Sequence, residues 1–321
     1  MSRRLRTLAL ALAAAAPLCA LAQSYPTKPV RFVLTNPPGG TVDLLARTLS
    51  DELAKRFQQP FVIENRPGAN GTIGGQVVVA GEPDAHTLLL GPPGPIAINK
   101  LMYRMPFDPQ EAFAPVSLVA IAPLVLVVNP ALPVKTFQEF LAYAKSHPGR
   151  ISYASQGNGS SGHLAMELLK SQAGIFAVHI PYRGSGPAIA DLVAGQTHAM
   201  LDNTTSALPQ VRAGRLRALA VAEPQRLKAE PGIPTIAESG LPGFQATPWF
   251  GVVAKAGSPK PAIDALAGAI AQIVKLPHVE GRFSALGVQL VGSTPEEFRA
   301  HIASELVKWE AVVARSGAKL D

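Results

Sequence analysis

The same local pattern occurs in both halves of the chain: a short apolar run, a glycine-rich turn and an amphipathic helix. In the first half, Val30–Leu34 predicts a strand, residues 37–40 (PPGG) predict a turn, and Thr41–Phe57 predicts a helix. In the second half, residues 151–154 predict a strand that leads through the loop SQGNGSSG into another helix. Alternating strands and helices are typical of mostly parallel sheets with helices on both faces. We therefore expect an α/β protein.

The first 22 residues have the features of a cleavable export signal. Arg3, Arg4 and Arg6 form a positive segment, an apolar run follows at residues 8–18, and small residues precede a cleavage site before Gln23. The apolar run is shorter than the about 20 residues with which a helix crosses a bilayer. We expect residues 1–22 to be removed and the mature protein to act outside the cytoplasm.

Removal of this signal limits the chemistry that remains. Cys19 is the single cysteine, so the mature chain is expected to lack disulfides, thiol nucleophiles and cysteine metal ligands. Without the three arginines, 26 of the 29 basic residues stand against 22 acidic ones, a net charge of +4, and no run of Lys and Arg indicates a nucleic-acid partner. The histidines show no metal-binding spacing. We therefore expect no metal, no cofactor and no nucleic acid.

Further patterns extend the alternation of strands and helices. A buried strand is predicted at residues 118–128, and shorter strands are predicted at residues 61–63, 87–90, 178–180, 198–201 and 217–221. Capping boxes, in which a Thr and a Glu three residues later satisfy the first N–H groups of a helix, occur at residues 136–139 and 294–297. They predict the beginnings of two more helices.

The glycine loop before the second-half helix is not a complete nucleotide-binding motif. The G-x-x-x-x-G spacing at residues 157–162 fits the beginning of a phosphate-binding loop, but His163 and Leu164 stand where that motif needs Lys and Ser or Thr. A second candidate, GSG at residues 184–186, has Ile189 where a dinucleotide motif needs a small residue. What remains is a backbone cradle for an anion at a helix N-terminus.

Ser160 and Ser161 raise an alternative from a different class, a secreted serine hydrolase that uses His163 as its base. The two serines are adjacent, however, and do not form the G-x-S-x-G turn that exposes such a nucleophile. His163 is more simply a residue of the first helical turn. We therefore expect no catalytic residues, with the hydrolase as the alternative.

Two glycine turns that each open a helix predict a cleft in which an anion is held from both sides. A helix N-terminus stabilises a negative charge by about 0.3–1 kcal/mol, and a charge-assisted hydrogen bond contributes about 1.5–3 kcal/mol. The loops at residues 36–43, 92–99 and 155–163 contain no Lys or Arg. Capture by backbone dipoles suits a carboxylate that has to be released again.

Sequence stretches across the mature chain resemble one known family. In order, they are YPTKPVRFVL, PPGGTVDLLAR, VIENRPGANGTIGG, YASQGNGSSGHLAMELLK, IPYRGSGPAIADLVAGQ, GRLRALAV, IPTIAESGLPGF and GSTPEEF. Together they resemble the Bug family, the periplasmic receptors of tripartite tricarboxylate transporters. The resemblance implies a type II-like periplasmic binding protein, in which two mostly parallel α/β lobes enclose a ligand cleft.

The resemblance also implies a function and its partners. The protein would bind a small carboxylate and deliver it to the membrane permease subunits of a tripartite transporter, as a periplasmic monomer that is not an enzyme. A ligand sensor for a two-component system is a further alternative that the sequence leaves open. Because the C-terminal helices need a partner sheet, lobe 1 is expected to comprise residues 23–123 and 252–321, and lobe 2 residues 124–251.

Matching positions supply the candidate ligand-binding residues. The resemblance assigns them to the first-lobe turn, the second-lobe clamp and the cleft wall: Gly39, Gly40, Thr41, Asn158, Gly159, Ser160, Ser161, Tyr182, Gly184 and Asp202. Asp43 is a further candidate in the first helical turn, where it either touches the ligand or only complements the helix dipole. Gly94 is included because it is the one residue with an N–H to donate within the proline run at residues 92–95.

The chain departs from the family pattern at three places. Thr35-Asn36 replaces the usual Pro-Phe or Pro-Tyr, DAH replaces DGY at residues 84–86, and GPPGP replaces a Ser/Thr-rich loop at residues 91–95. The first and third changes alter the expected cleft wall. The identity of the carboxylate is therefore the property that the resemblance transfers least.

Overall fold

The computed structural model describes residues 25–102 and 104–316, and the expected export signal lies outside them. In this part of the chain the strands form one six-stranded and one five-stranded sheet. The strands are β1 Val30–Leu34, β2 Phe61–Asn65, β3 Thr87–Gly91, β4 Phe113–Ile121, β5 Leu124–Val128, β6 Ser152–Ser155, β7 Val178–Pro181, β8 Ala199–Asn203, β9 Arg217–Val221, β10 Trp249–Lys255 and β11 Gln289–Leu290.

The first sheet has the order β11-β4-β10-β3-β1-β2. Strand β1 pairs in parallel with β2 and β3, whereas β10 lies antiparallel between β3 and β4, and β11 is antiparallel to β4. Strands β1 to β4 therefore run in one direction, and β10 and β11 run against them.

The second sheet has the order β7-β6-β8-β5-β9. Strand β6 pairs in parallel with β7 and β8, and β5 lies antiparallel between β8 and β9. Strands β6 to β9 run in one direction, opposed by β5. The expected α/β architecture, with two mostly parallel sheets flanked by helices, is confirmed.

The chain crosses between the sheets at two points. Strand β4 ends at Ile121 in the first sheet and β5 begins at Leu124 in the second, whereas β9 ends at Val221 in the second sheet and β10 begins at Trp249 in the first. The apolar run at residues 118–128, predicted as one strand, is therefore two strands; Pro123 between them has no N–H to donate to a sheet. The lobe boundaries at 123/124 and 251/252 stay predictions, and β10 already begins before residue 252.

Helices follow most of the strands. They are α1 Thr41–Phe57, α2 Thr72–Ala80, α3 Pro93–Ile96, α4 Pro109–Ala112, α5 Phe137–Ser146, α6 Ser161–Ala173, α7 Ser185–Val193, α8 Thr204–Arg212, α9 Lys260–Ile273, α10 Pro277–Ser284 and α11 Pro295–Ser316. Short 3₁₀ turns at Ala69–Gly71 and Ile98–Leu101 precede α2 and follow α3. The predicted bounds of β1 and α1 agree with those observed.

Helix α11 begins at the predicted capping box and packs on the first sheet. The Thr294 N–H donates to the Glu297 carboxylate over 2.9 Å, and the Glu297 N–H donates to Thr294 Oγ1 over 3.2 Å. Phe298 and Trp309 are buried in a cluster that includes Val253 of β10. Each fully buried side chain of this size stabilises the fold by about 1.5–3 kcal/mol, so this amphipathic face holds the C-terminal helix against the first sheet.

Within the described residues, no single helix combines the length and apolar character of a membrane span. Helices α9 and α10 reach that length and composition only as a pair, bent by 71° at the break between them. Leu266, Ile270 and Phe283 on this pair are buried in the core of the first sheet.

Candidate functional site

A cavity of about 60 Å³ lies between the two sheets, where the N-termini of five helices in the described chain converge. The N-cap residues of α1, α3, α6, α7 and α8 line it: Gly40, Pro92, Ser160, Gly184 and Asn203. None of its described lining residues is Asp, Glu, Lys or Arg. Because the first N–H groups of a helix have no intrahelical partner, these termini create a positive potential without any cationic side chain.

A larger pocket of about 640 Å³ adjoins this cavity and shares Asn36, Pro37 and Gln156 with it. The predicted site residues Asn158 and Tyr182 line this larger pocket. The Tyr182 hydroxyl donates to the Asp191 carboxylate over 2.8 Å. Burial and this carboxylate raise the pKa of Tyr182 to about 12, so the phenol stays neutral.

The first turn is held by an acidic side chain behind it. Gly39 has a φ of +91°, which favours glycine, and its N–H donates to Asp43 Oδ2 over 3.2 Å. Arg47 donates to both oxygens of Asp43. Partial burial acts to raise the pKa of Asp43, but the Arg47 and Gly39 hydrogen bonds outweigh it and the pKa lies below its ordinary value. Asp43 thus supports the turn, while Gly40 and Thr41 line the cavity.

The second loop is fixed through the N–H and the carbonyl of one residue, Gly159. The Gly159 N–H donates to His163 Nδ1 over 3.1 Å, and the Gly159 carbonyl accepts from Asn70 Nδ2 over 3.0 Å. Gly159 lines the cavity at a φ of +72°, but its N–H is already committed. In this conformation the Gly159 N–H therefore donates to His163 on the following helical turn, and ligand binding by Gly159 stays a prediction.

Ser160 and Ser161 both line the cavity, and Ser160 also caps α6. Ser160 Oγ accepts from the His163 N–H over 3.4 Å. In the described part of the chain, neither serine hydroxyl has a hydrogen bond to the His163 ring, which stacks instead on His179 at 4.1 Å. A hydrolase needs a nucleophile and a base in contact, and this arrangement does not provide one.

Asp202 lies behind the cavity wall and organises two residues that form it. It is fully buried, and Oδ1 accepts from Gln156 Nε2 over 2.5 Å and from Ser185 Oγ over 2.8 Å. Oδ2 has no partner among the described residues. Burial raises the pKa of Asp202 to about 6, despite these hydrogen bonds. Gln156 in turn accepts from the Gly162 N–H and, through its carbonyl, from the Gly184 N–H.

Gly94 lines the cavity at a point where a larger residue does not fit. A Cβ at this position would lie 2.8 Å from Asn70 Nδ2 and 3.0 Å from Asn99 Oδ1. The proline-rich loop therefore approaches Asn70 closely through Gly94, and this contact adds Asn70 to the site.

Sequence reasoning missed several residues that line the cavity. They are Asn70, Gln156, Ser185, Asn203 and Phe250. A signal existed for Asn203, because an Asn shortly after a strand-like run is typical of a helix N-cap, but Pro209 interrupts the helical pattern that follows. Asn70 and Phe250 carry no local signal, since their contacts with the cavity arise from the tertiary fold.

Across the cavity, residues in the loops and helices of the first sheet approach those of the second sheet. The hydroxyls of Thr41, on α1, and Thr205, on α8, lie 2.6 Å apart. A Cβ on Gly184 would lie 3.1 Å from Pro37 Cδ. With the Asn70–Gly159 hydrogen bond, these close approaches link the loops on the two sides of the cavity.

No group of three His, Cys, Asp or Glu side chains is placed to hold a metal ion within residues 25–102 and 104–316. The site's polar character instead comes from backbone N–H groups, hydroxyls and carboxamides. Such donors suit an oxygen anion without a metal.

The two sheets, the crossing strands and the cavity of helix N-termini define a two-lobed solute-binding protein. Residues 45–318 match the model of the tripartite tricarboxylate transporter family receptor. Protein BugT of Bordetella pertussis is 39% identical over 308 residues, which cover 95% of this chain and 94% of that protein. The chain belongs to the tripartite tricarboxylate transporter receptor family, as the resemblance implied.

Solved structures with carboxylates are also similar to this chain. An R. palustris protein with adipate is 35% identical, has a TM-score of 0.89, and is matched over 91% of this chain and 98% of its own. MatC from Rhodopseudomonas palustris, with bound malate, is 32% identical, has a TM-score of 0.86, and is matched over 90% of this chain and 100% of its own. Both comparisons support the two-lobed fold over nearly the whole described chain.

Proposed function

We propose that this protein is a periplasmic receptor that binds a small carboxylate between its lobes and delivers it to the permease subunits of a tripartite transporter. The observation that carries the proposal is the convergence of five helix N-termini, within the described chain, on one cavity whose described lining has no charged side chain. Export by a cleaved signal at residues 1–22 belongs to the same proposal.

The physical chemistry of the cavity supports an anion as the ligand. Gly40 and Gly184, at the N-termini of α1 and α7, have no side-chain capping hydrogen bond within the described residues. The first-turn N–H groups of these helices therefore need an external acceptor. Three or four charge-assisted hydrogen bonds of about 1.5–3 kcal/mol each, less the costs of ordering, reach the ~8 kcal/mol of micromolar binding.

The relatives' ligands support a carboxylate over other anions. Adipate and malate occur in two of the similar structures, and both are small acids with two carboxylates. We assign the contacts to the cavity-lining members of the predicted set, namely Gly40, Thr41, Gly94, Gly159, Ser160, Ser161 and Gly184. Gly39, Asp43 and Asp202 support these residues from behind, and Asn158 and Tyr182 extend the site into the adjoining pocket.

A thermal-shift screen of the mature protein tests this function. The panel contains mono-, di- and tricarboxylates, including adipate and malate, with the corresponding amides and sugars as controls. A ligand that binds only the folded state raises Tm. At a hundredfold excess over Kd, it raises the free energy of unfolding by about 2.7 kcal/mol. We expect a rise with one or more acids and none with amides. A panel in which no acid shifts Tm, or in which sugars do, would contradict the proposal.

Two further experiments separate the alternatives. Turnover of ester substrates that disappears in Ser160→Ala would support the hydrolase and contradict a receptor without catalysis. For transport, a strain that lacks the protein should lose uptake of the identified acid and regain it with the wild-type gene. If uptake is unchanged but the cell's transcriptional response to the acid is lost, the protein serves a sensor instead.

A further inference from the structure

Three stacked rings lie behind the second-lobe loop, outside the set of proposed ligand contacts. The His163 ring of α6 stacks on the His179 ring of β7 with centroids 4.1 Å apart and planes 16° apart. His179 stacks in turn on Tyr153 of β6 at 4.8 Å and 17°. His163 is buried, with 7% of its surface exposed, and the predicted receptor function assigns it no role.

These rings hold the loop at both of its ends. His163 Nδ1 accepts the Gly159 N–H over 3.1 Å. His179 Nε2 contacts Ser155 Oγ over 2.6 Å, and Ser155 Oγ accepts the Gly157 N–H over 3.1 Å. The loop from Ser155 to Ser160 leads directly into the cavity wall, where Gly159 and Ser160 stand. The position of the wall is thus set by two histidines on different elements.

We infer that His163 is a positioning residue for ligand binding: its unprotonated Nδ1 holds Gly159 and thereby places Ser160 at the cavity, with His179 supporting its ring and fixing the other end of the loop. The inference rests on the proposed carboxylate site. It assigns regulation to that site, because binding then requires a neutral imidazole.

The requirement follows from the donor and acceptor chemistry of the ring. A neutral imidazole accepts at one nitrogen, whereas a protonated imidazole donates at both. Protonation of His163 would therefore place an N–H against the Gly159 N–H and leave the Gly159 donor without its acceptor. The loop would then have to move, and Ser160 would move with it.

Burial keeps the His163 ring neutral near pH 7, and the charged groups around it act in both directions. The groups that face it are Glu167 and Lys170 on its own helix and His179 on the adjacent strand, with the Tyr153 hydroxyl bonded to Glu167. Burial lowers the pKa of His163, with Glu167 acting against this and Lys170 with it. Burial and then His163 lower the pKa of His179 to about 4. Protonation of the pair is thus confined to acidic conditions below the ordinary value of 6.5.

Matched variants separate positioning from packing. In His163→Asn the carboxamide oxygen can replace Nδ1 as acceptor but does not titrate, whereas His163→Leu fills the space without an acceptor. His147→Leu is the control, because His147 is an exposed histidine at the end of α5. Calorimetry with adipate and malate as probes, from pH 5 to 8, measures Kd for each protein.

We expect His163→Leu to weaken binding about tenfold at pH 7, His163→Asn to bind within about threefold of the wild type, and His147→Leu to be unchanged. As pH falls from 7 to 5, the wild type should lose affinity more steeply than His163→Asn. Equal affinity of His163→Leu and wild type, or the same pH profile in His163→Asn and wild type, would overturn the inference. If His163→Leu does not fold, the comparison of the wild type with His163→Asn decides.

A measurement without ligand keeps this inference separate from the proposed function. The ¹⁵N chemical shifts of the His163 ring at pH 7 report which nitrogen carries the proton. We expect the proton on Nε2, with Nδ1 as acceptor. A proton on Nδ1 would overturn the inference even if the acids bind. If neither acid binds but the proton lies on Nε2, the carboxylate proposal fails for these probes while the loop contact stands.

Discussion

The side-chain amide of Asn70 donates to the carbonyl oxygen of Gly159 over 3.0 Å, although the two residues are 89 positions apart in the sequence. Asn99, which is fully buried, fixes Asn70 by accepting from its Nδ2 and donating to its carbonyl. Asn70 itself has a φ of +46°, in the left-handed region that Asn adopts more readily than most residues other than glycine. A firmly held amide thus joins the first sheet's loops to the ligand loop of the second.

Loss of this hydrogen bond should weaken ligand binding, because the bond links the loops on the two sides of the cavity. We predict that Asn70→Ala raises Kd for the bound acid about threefold to tenfold, through faster dissociation, because a hydrogen bond of this kind contributes about 0.5–1.5 kcal/mol. Stopped-flow and calorimetry measure the rates and Kd. Asn129→Ala is the matched control: Asn129 donates to the carbonyls of Leu192 and Val193, outside both pocket linings. Asn129→Ala should lower Tm without changing Kd. An equal effect of both substitutions on Kd would contradict the role of the Asn70–Gly159 hydrogen bond in ligand binding.

The cap of α6 should matter for both stability and binding. Ser160→Ala removes a cavity-lining hydroxyl and should cost about 1.5–3 kcal/mol of affinity, roughly tenfold to a hundredfold in Kd. Thr136→Ala removes the comparable cap of α5, where Thr136 Oγ1 accepts the Glu139 N–H over 3.1 Å. It should destabilise the fold by about 0.5–2 kcal/mol and leave Kd unchanged. Unchanged Kd in Ser160→Ala, with the fold intact, would mean that Ser160 only caps its helix.

Gly159 should tolerate a side chain poorly. Its φ of +72° is strained for any residue with a Cβ and most of all for a β-branched one. We predict that Gly159→Val distorts the loop and weakens acid binding at least tenfold, whereas Gly174→Val, at the left-handed C-cap of α6, lowers stability without changing Kd. Circular dichroism and calorimetry distinguish these effects. Wild-type affinity in a folded Gly159→Val protein would show that the loop conformation is not needed.

Asp202 should destabilise the protein at neutral pH. Full burial raises the pKa of Asp202 from 3.8 to about 6. The contribution of Asp202 to the free energy of unfolding is therefore most favourable below pH 3.8 and is lost as pH rises through 6. Asp202→Asn keeps an acceptor for Gln156 and Ser185 and removes the charge. We predict that it stabilises the protein by about 1–3 kcal/mol at pH 7 and by little at pH 4, as measured by urea unfolding. Equal stability gains at both pH values would refute the buried-charge explanation.

Much of the fold was predictable because its signals are local. The bounds of β1 and α1 follow from an apolar run, a PPGG turn and a buried face of Leu45, Leu49 and Leu53. Strand direction was less accessible. An apolar run is equally compatible with a parallel or an antiparallel neighbour, so the reversal of β5 and β10 within their sheets could not be read from the sequence.

The site was predictable to the extent that its parts are contiguous. The turn at Gly40 and the loop at Ser160 each precede a helix, and both line the cavity. At Gly159, the N–H donates to His163 and the carbonyl accepts from Asn70. The first partner is local but depends on ring orientation, and the second is brought in by the tertiary fold. Neither is encoded in the glycine spacing.

A comparison of an acid with its own amide tests whether the helix N-termini at the cavity select the ligand by its negative charge. Calorimetry at pH 7 would use the highest-affinity acid of the thermal-shift panel and the compound in which its carboxylates are converted to primary amides. The shape stays similar, but the negative charge that the helix N-termini favour is removed. We predict that the amide binds at least tenfold more weakly than the acid. An amide with the affinity of the acid would contradict it, because the cavity would then select for shape and not for charge.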